Sequence, residues 1–169
     1  MDNKTIAAVF EEMGNILEID GANFFRVNAY RKAARTVENL SQDLRKLVKS
    51  GHKHEIDEIP GIGNTLRDKI IELVETGKCA AHEAMKKDFP PGLLEMLKLR
   101  GLGPKKIRLF NLELGINTLA ELKKAAEDGL IRELPKMGEK SENEILKAMA
   151  EYSMFSTDRS LINTARSEA

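Results

Sequence analysis

The sequence predicts an all-α fold of many short helices in two small subdomains, and three observations predict it. Apolar residues recur at helical spacings of three and four along the chain. No segment alternates with period two over a strand's length. Between a short helix and a longer amphipathic one, a tight glycine turn recurs three times, the mark of an internal repeat.

Taken in order, Ile6, Phe10, Met13 and Leu17 form the first apolar stripe, and Val27, Tyr30, Ala34 and Val37 the second. Leu44, Leu47 and Val48 indicate a short third helix. Leu66, Ile70 and Leu73 mark another, stopped by Gly77, where a left-handed residue can close a helix. Pro90-Pro91-Gly92 reads as a break, after which Leu94 and Leu97 start the next helix. Ile107, Phe110 and Leu114 continue to a stop at Gly115, and Thr118 with Glu121 fits a capping box. Ile145, Met149 and Tyr152 give the last stripe. The domains expected are 1–87, 88–152 and a tail or linker over 153–169.

The turns are Ile59-Pro-Gly-Ile-Gly63, Leu99-Arg-Gly-Leu-Gly103 and Leu134-Pro-Lys-Met-Gly138, with Lys136 replacing the first glycine in the third. Two glycines around one apolar residue allow a sharp turn with φ > 0, while Ile62, Leu102 or Met137 plugs the core. The helix that follows opens with unpaired N–H groups on an uncrowded turn, an anion site that needs no charged side chain.

Composition is globular: 169 residues, 41% hydrophobic and 5% aromatic. No apolar run approaches the roughly 18 residues of a membrane helix, so no membrane partner is expected. Acids stand in the first segment where a secretory signal would carry bases, so no export is expected. Cys79 is the single cysteine, which excludes an internal disulfide and a Cys-rich zinc site. The 27 Lys+Arg balance 27 Asp+Glu, a neutrality that argues against a strongly basic nucleic-acid binder. That neutrality conceals an uneven distribution. Residues 1–20 hold one Lys against five acids, residues 21–54 eight bases against two acids, and residues 98–108 five bases and no acid. A ligand feels charge within a Debye length of about 10 Å, so the local stretches matter more than the total.

Asn28-Ala-Tyr-Arg-Lys-Ala-Ala34, with Ile59-Pro-Gly-Ile-Gly63 and Glu75-Thr-Gly-Lys78, resembles the small helical domain of family X DNA polymerases. Leu99-Arg-Gly-Leu-Gly-Pro-Lys-Lys-Ile-Arg108 and Leu114-Gly-Ile-Asn-Thr-Leu-Ala-Glu-Leu122 resemble the family's second helix-hairpin-helix region. The bacterial branch shares a stretch like Gly21-Ala-Asn-Phe-Phe-Arg-Val-Asn-Ala-Tyr30 and a third hairpin.

The resemblance implies DNA as partner, held at gaps, nicks or 5′-phosphate ends without base reading. Gly61, Gly63, Asn64 and Thr65 would hold one phosphate. Gly101, Gly103, Lys105, Lys106 and Arg108 would hold another. It further implies a 5′-phosphate pocket at Arg26, Tyr30 and Arg31. A monovalent cation, Na⁺ or K⁺, would sit on the backbone carbonyls of Asp57, Ile59 and Ile62, and of Leu97, Leu99 and Leu102; no other cofactor is required. A palm domain and repair proteins are the further partners implied, and the expected location is cytoplasmic, at the nucleoid of a bacterium.

Lys69 stands where lyase-competent relatives carry a Schiff-base lysine for removing 5′-deoxyribose phosphate, a step that needs a neutral amine. Arg67 and Arg26 are its candidate cationic neighbours. Thr65 and Ala81 replace lysines of those relatives, and Phe25 replaces a histidine that stacks on the DNA end. Nucleotidyl transfer in the family needs three palm carboxylates holding two metal ions, and no Asp-x-Asp pair occurs here, so no polymerase chemistry is expected of these residues. His52-Lys-His54 reads as exposed polar surface, Cys79 as a semi-buried thiol, and Met96 and Met149 as core filler. Three functions stay open: a DNA-backbone binder, a DNA lyase through Lys69, and a helix-hairpin-helix scaffold for protein partners.

Overall fold

The computed structural model describes the backbone of residues 1–168 and the side chains of residues 1–154. Those described residues contain helices and turns and no strand. The chain divides into two compact units, Met1–Phe89 and Pro90–Ala169.

In the first unit α1 (Asn3–Ile19) pairs with α2 (Phe24–Glu38), followed by α3 (Leu44–Lys49), a 3₁₀ turn (Lys53–Glu58), α4 (Asn64–Thr76) and α5 (Ala80–Lys87). Helix α1 starts where Asp2 accepts the Thr5 N–H at 2.9 Å and the Thr5 hydroxyl at 2.7 Å. These bonds hold the Asp2 carboxyl below its ordinary value. Asn3 then ties α1 to α3, donating to the Gln42 carbonyl and accepting the Leu44 N–H. The stripe Ile6, Phe10, Met13 and Leu17 buries fully against Val27, Tyr30, Ala34 and Val37, with Phe10 and Tyr30 edge to face at 6.1 Å. Phe10→Ala would cost about 3–5 kcal/mol. Leu66, Ile70 and Leu73 of α4 complete this core, and Gly77 closes α4 at φ +78°.

The second unit holds α6 (Pro91–Met96), α7 (Pro104–Leu114), α8 (Leu119–Glu127), a 3₁₀ turn (Ile131–Glu133) and α9 (Glu139–Glu168). Phe110, Ile107, Leu122, Ile131 and Met96 are fully buried in it. The tail or linker expected over 153–169 lies, for its side chains beyond residue 154, outside the described residues.

Four sequence expectations change. The break falls at Pro90, where the second unit begins, but Pro91 and Gly92 already belong to the next helix, with Pro91 at the first position, where its missing N–H costs nothing. Gly92 belongs to that helix because an added Cβ would lie 2.0 Å from the Asn117 carbonyl oxygen. Leu93 and Met96, rather than Leu94 and Leu97, are the buried pair. Helix α5 was unexpected because its one buried side chain is His82 and its cap comes from elsewhere: Glu72 of α4 accepts the Ala80 N–H at 2.6 Å. Cys79 is fully buried in the core rather than semi-buried.

Candidate functional site

All three repeats fold alike. A short helical turn leads into a four-residue turn whose third residue is left-handed: Gly61 (φ +88°), Gly101 (φ +80°) and Lys136 (φ +65°). The turns close through Ile62 N–H to Ile59 C=O (3.1 Å), Leu102 to Leu99 (3.2 Å) and Met137 to Leu134 (3.1 Å). Positive φ at the third position with Pro60 or Pro135 at the second is the type II pattern. Upstream, Ile59, Leu99 and Leu134 donate to Ile56, Met96 and Ile131 at 3.0–3.2 Å. The plugs Ile62 and Leu102 are buried, and Met137 half-buried.

Gly63 and Gly103 differ from the turn glycines. Both are N-caps in extended backbone, φ −87° and −103°, which any residue adopts. A Cβ added to either meets nothing within 4 Å. Neither α4 nor α7 has a side chain bonded to its first N–H groups. The fold itself therefore does not require glycine at 63 or 103, and a helix dipole with free amides faces open space at each.

The charges around the two hairpins differ. At the second, Lys105 is exposed and Lys106 Nζ reaches back to the Gly101 carbonyl at 3.3 Å, with no acid in the first turn of α7. Arg108 lies two residues further on, half-buried. At the first, Asn64 and Thr65 are exposed, and the base of this turn, Arg67, is neutralised locally. It is bonded to Asp68 at 3.1 Å and to Asp57 at 2.8 and 3.0 Å, which raises its pKa. Lys69 is half-buried two residues later, so Arg67 brings it no uncompensated charge.

The three residues expected around a 5′-phosphate separate on α2. Arg26 is exposed. Tyr30 is buried against Phe10. Arg31 is held to α1 by its ion pair with Glu18 and a 3.0 Å bond to Asn15, so a phosphate there would compete with Glu18. The sequence reading missed Lys32, whose stem lies across the Gly61 turn. Only the basic run in α2 hinted at it; the contact joins residues 29 positions apart.

Around the third hairpin Glu142 is buried at 2% exposure and accepts the Arg132 N–H at 3.0 Å and its guanidinium at 2.9 Å. The Arg132 side-chain bond holds Glu142 below the ordinary carboxylate value, against the opposing effect of burial. Glu139 is also in the first turn of α9. Among the described residues no group of His, Cys, Asp and Glu could hold a metal, and His52 and His54 are exposed. No helix of the described residues is long and apolar enough to cross a membrane.

Comparison with known proteins matches the two units separately. Residues 1–79 fit the model of a helix-hairpin-helix domain, and residues 93–151 that of a SAM-like helix-hairpin-helix tandem. The chain is 37% identical over 151 residues to the DNA polymerase/3′-5′ exonuclease PolX of Bacillus subtilis (strain 168), covering 89% of this chain. It spans about a quarter of that relative's length, 25%. The repeated hairpin, its match in both units and this identity lead to one assignment: the chain belongs to the helix-hairpin-helix region of the family X DNA polymerases.

Proposed function

We propose that the chain grips DNA by its sugar-phosphate backbone at gaps or 5′-phosphate ends, one phosphate on each of the first two hairpins. The observation that carries this reading is the empty space over Gly63 and Gly103, which the protein's own packing does not explain. A phosphate oxygen brought to the amides there would meet the positive ends of α4 and α7 without a Cβ in its way. Such contacts fix position without reading sequence. The Bacillus subtilis relative is by name a DNA polymerase and exonuclease, and DNA is the ligand that gives two such clamps a common purpose.

A bound Na⁺ or K⁺ belongs to the same reading. The Ile59 and Leu99 carbonyls each accept one turn bond, and among the described residues no backbone donor reaches those of Ile62 and Leu102. Carbonyl oxygens are hard donors suited to such a cation, which would add positive charge that no residue count includes.

Binding to gapped duplex, with and without a 5′-phosphate, across a salt series tests the proposal. Affinity should fall with salt at a slope of about −0.9 per neutralised phosphate and favour the gapped, 5′-phosphorylated form. Gly63→Val and Gly103→Val should each weaken binding roughly tenfold, the scale of one lost charge-assisted contact, while the melting temperature holds. Equal affinity for gapped and intact duplex would remove the gap and end preference. Salt-independent behaviour, untouched by either valine, would point instead to a protein scaffold.

A further inference from the structure

We infer that Lys32, on α2, supplies the ammonium group that the first hairpin lacks, so that one phosphate is held by the amides of one helix and a lysine of another. The inference deepens the proposed DNA grip and rests on it.

The second hairpin brings its own bases, Lys105 and Lys106, in the first turn of α7. The first hairpin does not. Its opening residues Asn64 and Thr65 are uncharged, and Arg67 is matched by Asp57 and Asp68. Two clamps with the same backbone would therefore differ by about two positive charges if only their own helices counted.

Helix α2 corrects that imbalance. A Cβ built on Gly61 would touch Lys32 Cε at 3.4 Å, with Cδ and Cγ both at 3.8 Å. The whole aliphatic stem thus runs along the turn, and Nζ, one bond beyond Cε, is carried beside the hairpin. Lys32 is exposed, and among the described residues it has no hydrogen bond or ion pair. A lysine that packs its stem on a surface while its head stays in water is a common compromise. Here the surface is the turn that leads into the free amides of α4. The neighbouring arginine is spoken for, since Arg31 pairs with Glu18. Of the adjacent pair, Arg31 fastens α2 to α1 and Lys32 is left to act outward.

Gly61 is glycine for its left-handed φ, and the Lys32 stem lies at ordinary van der Waals distance from where a Cβ would stand.

The test uses the full chain on gapped, 5′-phosphorylated duplex with Lys32→Met, which keeps the stem and removes the charge. Expected is a salt slope shallower by about one, with weakening that does not depend on DNA sequence. To locate the effect, single phosphates are replaced one at a time by neutral methylphosphonates. The phosphate that stops mattering in Lys32→Met should be the one that stops mattering in Gly63→Val, and the two substitutions together should lose less than the sum of their separate losses. Lys32→Arg should restore the slope. An unchanged slope in Lys32→Met, or a charge effect spread over all phosphates and additive with Gly63→Val, overturns the inference and leaves the DNA grip standing. If the unmodified chain shows no salt-dependent DNA binding, the grip itself fails, and this inference with it.

Discussion

The second and third hairpins belong to the same unit and share one backbone. Gly101 and Lys136 both take the left-handed position, at φ +80° and +65°, and the closing bonds are 3.2 and 3.1 Å. Gly103 and Gly138 both open a helix with nothing within 4 Å of an added Cβ. Their side chains diverge. After Gly103 come Pro104, Lys105 and Lys106; after Gly138 come Glu139, Lys140, Ser141 and Glu142. Leu102 is buried where Met137 is half-buried. The pair separates two properties that a motif search merges. The apolar plug and the turn bonds produce the hairpin, while the residues of the next helical turn decide whether an anion is welcome there. In the third hairpin carboxylates occupy the positive end of α9, and Glu142 is turned inward to Arg132. It serves the fold where the second serves the surface.

The largest effect should come from removing a close approach in α6, the helix that leads into the second hairpin. In Gly92→Ala the new methyl would sit 2.0 Å from the Asn117 carbonyl oxygen and 2.9 Å from Thr118 Cα. Backbone, not a flexible side chain, would have to move. We expect a loss on the order of 3 kcal/mol, at the upper end of overpacking costs. Urea unfolding should show an earlier transition for the second unit and an unchanged one for the first.

The next effect concerns the third hairpin alone. Glu142 is held below its ordinary value of 4.5 by Arg132, so the folded state binds a proton less readily than the unfolded one. The stability this confers is complete above pH 4.5 and is lost as pH falls through the lowered folded value. Glu142→Gln should lower the melting temperature of the second unit by several degrees at pH 7 and flatten its decline below pH 4.5. The clamp at Gly103 should bind as before. A melting curve as steep in acid as that of the unmodified protein would mean that other carboxylates carry the acid sensitivity.

How far these contrasts could be read from sequence varies with the distance between the groups involved. Period and glycine position are local, so the stripes of α1, α2 and α4 and the stops at Gly77 and Gly115 were legible, as was the capping role of Thr118. Even there one partner shifted: Glu121 returns its bond to the Asn117 N–H, not to Thr118. Interactions that join distant segments were not legible. Helix α5 is capped by Glu72, Gly92 answers to Asn117, Arg31 to Glu18, and Lys32 to Gly61. Each is a polar or small residue whose partner is fixed only once helices pack, and no spacing rule marks it. The hairpin glycines are visible in sequence. Which cations remain free to act beside them is decided by pairing across the fold.

The smallest effect gives the sharpest form of the comparison, since it asks whether the third hairpin can be made to resemble the second. Lys136 holds a left-handed conformation that costs an L-residue roughly 1–2 kcal/mol, part of which glycine returns to the flexibility of the unfolded chain. Lys136→Gly should therefore stabilise the second unit by about 1 kcal/mol, read in urea, with DNA affinity unaltered or slightly lower for the lost charge. Adding Glu139→Lys then removes an acid and places a base beside Lys140 in the first turn of α9, one position earlier than the Lys105-Lys106 pair of α7. Glu142 stays neutralised by Arg132 and does not oppose it. If side chains alone distinguish the hairpins, the double variant should bind gapped DNA with a salt slope steeper by about 0.9. An unchanged slope would show that the third hairpin has the backbone of a clamp but faces away from the bound strand. The contrast with the second hairpin would then reside in where each turn points, with the acids of α9 a consequence of that placement.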